Sequence, residues 1–233
     1  MGFDLSFNSL ESAIPTQLGQ LTAFESRFEL SFNSLESAIP TQLGQLTAIE
    51  SSFNLFSNRL ESAIPTQLAQ LVHISSSFQL NSNSLNASLP SELGQLVALS
   101  ARGFWHSNPL SRTLPSQLGR LSHLPELLLF SDHTSSSSHV DGGTPKYHGT
   151  LPTQLGTMQD LKMFVAYGND FSGCVTFHGP RSTIHLPTRQ SIKIDRSLHN
   201  LLPSPLPPPP PPPIYTHAER CPRSSACSVT LPR

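Results

Sequence analysis

A 25-residue repeat runs through the first 174 residues of this 233-residue chain and limits the folds open to it. Residues 5–23 and residues 30–48 are identical letter for letter. An Ile-Pro or Leu-Pro step recurs every 25 residues from Ile14 to Leu114, and a sixth follows 37 residues later at Leu151. Because a unit this short cannot enclose its own core, neighbouring units must bury their apolar edges against one another. The repeat therefore predicts a solenoid.

Each unit combines a strand with a helix-like return. In the second unit, Phe28 and Leu30 alternate with a polar residue, which is typical of a strand. Asn33 then follows as a turn residue, and Pro40 suits the first turn of a short helical or 3₁₀ segment over residues 41–46. The predicted fold class is therefore α/β, with parallel strands connected by short helical or 3₁₀ returns.

The repeat resembles the leucine-rich repeats of plant proteins. The shared motif is L-x-x-L-x-L-x-x-N-x-L with I-P-x-x-L-G-x-L, and residues 40–46 and 158–173 are clear examples. The resemblance implies a curved solenoid whose concave face recognises another protein, as in receptor-like and polygalacturonase-inhibitor-like ectodomains. Residues 1–174 are accordingly predicted to form the solenoid, with an insertion loop at about 133–148.

Two departures from the family pattern affect the regularity of the strands. The glycine that the family places before the Ile-Pro step is Ser37, Ser62, Ala87 or Arg112 in four of the units. Units two to five also have three residues before the strand, such as 50–52, where the family has two. One extra residue would move every following side chain to the other face of the sheet, so a local bulge that restores the register is expected.

An asparagine follows almost every strand. Its amide is suited to satisfying backbone groups that the turn leaves without partners, so a structural role is predicted rather than a ligand-binding one. The column consists of Asn8, Asn33, Asn58, Asn83, Asn108 and Asn169, with Asp132 in the sixth unit.

The residues that alternate with the core face the open side of the sheet, and their character changes along the chain. The early units place acidic or polar residues such as Asp4 and Glu29 at the first of these positions, whereas the last three units place apolar ones there. A contiguous apolar patch with aromatic residues is typical of a contact site. In the alternative interpretation, the insertion or the tail folds over this patch and makes it core. The predicted partner-binding residues are Phe104, His106, Leu128, Phe130, Val165 and Tyr167.

Residues 175–233 differ from the repeats in charge and composition. They carry 7 basic and 2 acidic side chains, a net charge of +5, whereas residues 1–174 carry 7 basic and 13 acidic ones, a net charge of −6. Since this part lacks the apolar content for a core, a disordered basic tail is predicted. Its proline run would form a polyproline II rod, either as a ligand of a profilin-like or EVH1-like module or as an inert spacer. The run consists of Leu206, Pro207, Pro208, Pro209, Pro210, Pro211, Pro212 and Pro213.

Several other functions find no support in the sequence. The formal net charge of −1 argues against nucleic acid as a partner, because phosphate binding needs clustered Lys and Arg. No apolar stretch has the length of a membrane span. Phosphate loops, zinc-protease motifs and nucleophile elbows are missing, so no enzyme activity, cofactor or metal site is expected. Cys221 and Cys227 are interpreted as a loose disulfide or free thiols.

The sequence thus predicts a non-catalytic protein-interaction module that binds a protein or peptide on the concave face. The alternative is a fragment of a receptor-like cell-surface protein whose signal sequence, membrane span and effector domain lie outside this chain. The chain starts inside a repeat, at the strand of residues 3–5, which favours an N-terminally truncated form. The compartment stays open: cell surface or secreted if the chain is truncated, and cytoplasmic otherwise.

Overall fold

The computed structural model describes residues 1–129, 147–166, 169–172, 174–176, 183–185 and 193–195. The chain divides into two units, Met1–Leu198 and His199–Arg233, and all described elements lie in the first. The strands are β1 (Phe3–Asp4), β2 (Glu11–Ala13), β3 (Arg27–Glu29), β4 (Ser34–Ala38), β5 (Ser52–Asn54), β6 (Arg59–Ser62), β7 (Ser77–Gln79), β8 (Ser84–Leu85), β9 (Arg102–Phe104), β10 (Glu126–Leu128), β11 (His148–Thr150), β12 (Met163–Val165), β13 (Asp170–Ser172), β14 (Cys174–Thr176), β15 (Thr183–His185) and β16 (Lys193–Asp195). The 3₁₀ helices are η1 (Thr16–Gln20), η2 (Thr41–Gln45), η3 (Thr66–Gln70), η4 (Ser91–Gln95), η5 (Ser116–Arg120) and η6 (Thr153–Thr157).

One long sheet, the main sheet, runs along the repeats in the order β1-β3-β5-β7-β9-β10-β12-β16. Its strands are parallel up to β12, and β16 adds an antiparallel edge. From β1 to β9 each residue pairs with the residue 25 positions later, as Phe28 does with Phe53 and Phe53 with Phe78. Successive units therefore stack side by side, and the predicted leucine-rich-repeat solenoid is confirmed.

The extra residue of units two to five lies in the turn ahead of each strand. The amide of Glu50 donates to the carbonyl of Glu25 at 2.7 Å, and the amide of Ser75 donates to the carbonyl of Glu50 at 2.8 Å. Each extra residue thus adds a hydrogen bond between its own unit and the preceding one. Register is kept, as expected, but the adjustment lies before the strand and not within it. When the unit shortens at β10, Leu127 still pairs with Gly103.

The core is a continuous column between the main sheet and the 3₁₀ helices. Phe28, Phe53 and Phe78 are 0% exposed, and their rings stack at centroid distances of 5.4 and 5.5 Å. Leucines on either side of each strand complete the layer, with Leu55 and Leu80 also fully buried. Because the same side chains recur in register, each unit buries its apolar edge on the next one, which is how a solenoid is stabilised.

The asparagine column confirms the structural role predicted for it. Oδ1 of Asn83 accepts the amide of Leu60 at 3.0 Å, and Nδ2 donates to the carbonyls of Leu55 at 3.0 Å and Leu80 at 3.1 Å. One amide therefore satisfies backbone groups of its own unit and of the preceding one. Asn33, Asn58, Asn108 and Asn169 repeat this pattern. Asp132 lies outside the described residues.

The 3₁₀ returns form where the sequence predicts them. Pro40 precedes η2 with φ −63° and ψ 131°, and the amide of Leu43 donates to its carbonyl at 3.1 Å. The fixed φ of proline sets the chain up for the first helical turn, and proline gives up no needed N–H there.

A second parallel sheet, in the order β2-β4-β6-β8, was not predicted. Its segments are rich in Ser, Glu and Ala, which carry little strand propensity. They pair because stacking brings equivalent backbones together. The residue before each Ala-Ile or equivalent step has a left-handed backbone, with φ 67° at Ser37 and Ser62 and 84° at Ala87. Among the glycines in the described part of the chain, Gly149 alone has this conformation, with φ 84°.

Short strands also follow the expected end of the repeats. β14 and β15 form an antiparallel pair, and β16 pairs with β12 through Ile194 and Phe164. The insertion of residues 130–146, the polyproline run and most of residues 175–233 lie outside the described residues. The boundary at residue 174, the insertion loop and the disordered tail therefore stay predictions.

Candidate functional site

The strands of the main sheet present alternate residues on the face turned away from the 3₁₀ helices, here called the open face. While Leu127 and Phe164 are buried in the core, their neighbours Leu128 and Val165 are half-buried on this face. Pairing in the sheet places the backbone of Phe104 beside Leu128, and Leu128 beside Val165. Three of the predicted binding residues thus occupy one row on adjacent strands.

The same row is polar in the earlier units. Asp4, Glu29, Asn54 and Gln79 occupy the positions equivalent to Leu128, and each pairs with the next across the sheet. Since in-register strands lie about 4.8 Å apart, the row changes from acidic to neutral to apolar along the stack. The same position of the repeat is therefore acidic at one end of the open face and apolar at the other.

The other predicted binding residues are only partly described. His106 is half-buried, and its Nδ1 lies 3.1 Å from Oγ of Ser107. Phe130 and Tyr167 lie outside the described residues, so the structure does not test their place in the patch.

An exposed aromatic cluster on the first three units was not predicted as a site. Phe7 is 76% exposed and Phe32 is 39% exposed, and their rings stack at a centroid distance of 4.3 Å. Phe56 is half-buried and meets the ring of Phe32 edge-on at 4.5 Å. We call these three residues the phenylalanine cluster. The sequence does carry one sign of this cluster, because later units have serine at the positions of Phe7 and Phe32.

Two carboxyl groups lie on the strands that lead into this cluster. The amide of Ser6 donates to Oδ1 of Asp4 at 3.0 Å and holds the pKa of Asp4 below its ordinary value. Nη2 of Arg27 lies 3.4 Å from Oδ2 of the same carboxylate. Partial burial raises the pKa of Glu29, although the hydroxyl of Ser52 donates a hydrogen bond to it. The first strands therefore hold acidic groups in two different environments.

A second polar site lies between the sixth and seventh units. Nδ1 of His123 is 3.0 Å from Oδ2 of Asp160, and both side chains are more than half exposed. A cleft of about 260 Å³ beside them is lined by Ser100, Pro125 and Lys162 as well. The hydroxyl of Ser100 donates to the carbonyl of Ser75 at 2.8 Å, so it is already committed to the backbone.

Within the described ranges, no group of three or more His, Cys, Asp or Glu side chains is placed to hold a metal ion. In that part of the chain, none of the helices has the length and apolar character needed to cross a membrane.

Solved plant receptor ectodomains share this fold. No protein-family model matches the sequence, and no curated protein matches it. A TDR receptor structure is 25% identical with a TM-score of 0.64, covering 75% of this chain and 27% of its own. The ectodomain of the plant membrane receptor kinase GASSHO1/SCHENGEN3 from Arabidopsis thaliana, in complex with CASPARIAN STRIP INTEGRITY FACTOR 2, is 32% identical with a TM-score of 0.56, covering 74% and 22%. The Arabidopsis receptor kinase HAESA, in complex with the peptide hormone IDA and the co-receptor SERK1, is 25% identical with a TM-score of 0.55, covering 74% and 33%. This chain thus spans a third or less of the length of each.

Proposed function

We propose that this chain, a leucine-rich-repeat solenoid of the plant type, is a non-catalytic protein-interaction module that binds a protein or peptide on its open face. Two of the similar ectodomains were solved with bound partners, the GASSHO1/SCHENGEN3 and HAESA complexes. We take the open face to be the concave face that the family resemblance implies.

The observation that carries the proposal is the apolar row of Phe104, Leu128 and Val165. Leu128 and Val165 keep part of their surface exposed although the core lies directly behind them at Leu127 and Phe164. Exposed apolar side chains in a contiguous row are typical of interaction sites. His106, Phe130 and Tyr167 are proposed to extend the row into a patch, on the basis of their repeat positions.

The proposal is tested by proximity labelling with the full chain in its own cells. The wild type is compared with a Leu128→Asn/Val165→Asn variant, which replaces two of the three apolar side chains of the row by the kind of polar residue found in the earlier units. The matched control is Asn54→Ser/Gln79→Ser at the same positions of earlier strands. We expect a partner that the wild type and the control enrich and the apolar-row variant does not, with unchanged circular dichroism.

Two results would contradict the proposal. If the apolar-row variant enriches the same proteins as the wild type, the row is not the contact site. If the variant unfolds, Leu128 and Val165 belong to a covered core, which is the alternative interpretation of the patch.

A second candidate function is that of a segment of a receptor-like cell-surface protein. The similar structures are receptor ectodomains, and this chain spans 22–33% of the length of the three described above. Sequencing of the complete transcript separates the two candidates. A signal peptide upstream of Met1 in the same reading frame supports the receptor segment, whereas an upstream stop codon in that frame excludes it.

The proline run of the tail remains a separate proposal. Residues 207–213 would offer a polyproline II ligand to a profilin-like or EVH1-like module. A pull-down with these modules should recover the full chain and fail with a variant whose prolines are changed to serine. Equal recovery of both chains would leave the run as a spacer.

A further inference from the structure

We infer that the phenylalanine cluster of the first three units is a docking site for a cationic, arginine-containing peptide segment of a partner. The inference rests on the proposed function, because it assumes that the open face contacts proteins. It concerns a different part of that face from the apolar row of Phe104, Leu128 and Val165, so the two can be tested separately.

The geometry of the cluster leaves aromatic surface facing water. Phe7 and Phe32 stack almost parallel, with an interplanar angle of 21°, and Phe7 keeps 76% of its surface exposed. Phe32 meets Phe56 at 74°, which makes a corner between the two rings. A planar group can therefore contact the ring surfaces of Phe32 and Phe56 that this corner leaves exposed.

The fold does not need these rings where they stand. Phe7 and Phe32 have left-handed backbones, with φ 56° and 54°. The same turn is made by Ser57, Ser82 and Ser107, with φ 57°, 56° and 53°. A bulky residue in this region is disfavoured, and both rings keep surface in water, 76% of Phe7 and 39% of Phe32. A side chain that is costly for both reasons, and replaceable by serine in neighbouring units, points to contact with a ligand.

The charge of these units favours a cationic ligand. Residues 1–75 carry 7 acidic and 2 basic side chains, a net charge of −5, whereas residues 76–129 carry 2 acidic and 3 basic ones, a net charge of +1. Asp4 and Glu29 lie on the strands that lead directly into Phe7 and Phe32. The carboxylate of Asp4 already holds one guanidinium, that of Arg27, at 3.4 Å.

Together these features select arginine over other side chains. The faces of aromatic rings attract cations, and a planar guanidinium can stack on a ring while its N–H groups donate to a carboxylate. The ammonium group of lysine carries the charge but has no planar face to stack on a ring. Glutamate would be repelled by the net charge of −5 on these units. The expected partner segment therefore exposes one or more arginines in an extended conformation.

The test uses fluorescein-labelled peptides and the full chain, with binding followed by fluorescence anisotropy. The probes are Gly-Ser repeats that carry arginine, lysine or glutamate at every third position. We expect the arginine peptide to bind, the lysine peptide to bind more weakly and the glutamate peptide not to bind. Affinity should fall as salt is raised, because exposed charges are screened.

The decisive variant is Phe7→Ser/Phe32→Ser, which installs the residue that later units already carry in this turn. We expect it to weaken binding of the arginine peptide at least about tenfold, since stacking on both rings is lost. Asp4→Asn/Glu29→Gln should also weaken binding and reduce its dependence on salt. The Leu128→Asn/Val165→Asn variant is the control and should bind the peptide as the wild type does.

Three results would overturn the inference: no binding of the arginine peptide to the wild type, equal binding of the arginine and glutamate peptides, or unchanged binding by Phe7→Ser/Phe32→Ser. Should that variant lose its fold, the carboxylate variant decides, and its failure to weaken binding would overturn the inference. Loss of the cell partner in the apolar-row variant with unchanged peptide binding would show that the two sites are independent.

Discussion

The indole of Trp105 fills the space that Gly103 leaves in the core. A Cβ built on Gly103 would lie 3.1 Å from Cη2 of Trp105 and 3.3 Å from Cδ2 of Leu99. In the other early units this position is a phenylalanine such as Phe78, followed two residues later by a leucine such as Leu80. Where the earlier units have Phe and then Leu, the fifth unit therefore has Gly and then Trp, so the larger side chain has moved to the second position.

This exchange predicts strong coupling between the two positions. Gly103→Phe alone should destabilise the fold by overpacking, and Trp105→Leu alone should cost about 2 kcal/mol or more by opening a cavity. The double variant restores the Phe-x-Leu pattern and removes an indole N–H that is buried without a partner. It should be close to the wild type in urea unfolding followed by circular dichroism. Additive losses in the double variant would contradict the exchange.

Close packing of the 3₁₀ helices predicts a cost for any side chain at Gly44. Its Cβ would lie 2.4 Å from the carbonyl oxygen of Gln67 in the next unit. We expect Gly44→Ala to lower the free energy of unfolding by about 1–3 kcal/mol, because η2 and η3 must move apart. The third unit carries Ala69 at the same position, and a cleft of about 280 Å³ lies between η3 and η4 there.

The control for that prediction is Ala69→Gly. It lets η3 and η4 approach, but glycine also loses more backbone entropy on folding, so the net change should stay within about 1 kcal/mol. If Gly44→Ala is as mild as the control in thermal unfolding, contact with Gln67 does not limit the stack.

The asparagine column predicts a large effect from a polar truncation inside the stack. Asn83→Ala removes one accepted and three donated hydrogen bonds and leaves the amide of Leu60 without its partner. We expect a loss of about 2–4 kcal/mol of unfolding free energy, since each unsatisfied buried group costs about 1–3 kcal/mol. Asn8→Ala is the matched control, because Asn8 is exposed and its amide only donates within its own unit. Similar losses at both positions would mean that bonds between units do not matter.

The left-handed positions predict that serine-to-glycine changes stabilise the protein. Ser37 has φ 67° and makes the turn where the family has glycine. Ser37→Gly should raise the free energy of unfolding by about 1 kcal/mol, because a non-glycine residue in this region costs about 1–2 kcal/mol. Ser34→Gly, in the same strand without a left-handed backbone, should instead destabilise by about 0.5–1 kcal/mol. A destabilised Ser37→Gly would show that its side chain contributes more than the strain removes.

Much of this fold could be predicted because the signal recurs. The spacing of Phe28, Phe53 and Phe78 gave the register of the main sheet, and Pro40 and its equivalents gave the 3₁₀ returns. The second sheet could not be predicted, because segments such as residues 34–38 carry no strand pattern and pair only once the units are stacked. The sequence also showed where units two to five carry their extra residue. How the turn before the strand accommodates it depends on hydrogen bonds between units, which the sequence does not show.

The candidate site was harder to predict for a physical reason. The apolar row at Leu128 and Val165 follows from alternation, since each lies next to a core residue in its strand. Alternation also places Phe7 on the open side, but it does not show the left-handed turn that carries the ring so far into water. Repetition shows which position turns, whereas only the structure shows that a ring at that position stays in water.

Partial burial of Glu29 predicts a measurable dependence of stability on pH. Desolvation raises its pKa above the ordinary value of 4.5, and the hydrogen bond from Ser52 opposes this without cancelling it. A carboxyl whose pKa is higher in the folded than in the unfolded protein favours folding only when it is protonated. Its contribution is therefore fully present below pH 4.5 and is lost as the pH rises through the folded value. Glu29→Gln should unfold at a higher urea concentration than the wild type at neutral pH, and the difference should vanish on acidification.

Asp4→Asn is the control of opposite sign, because the pKa of Asp4 is lowered, and its effect should be small since the group is exposed. A difference between Glu29→Gln and the wild type that grows as the pH falls would mean that the charged form of Glu29 is the stabilising one.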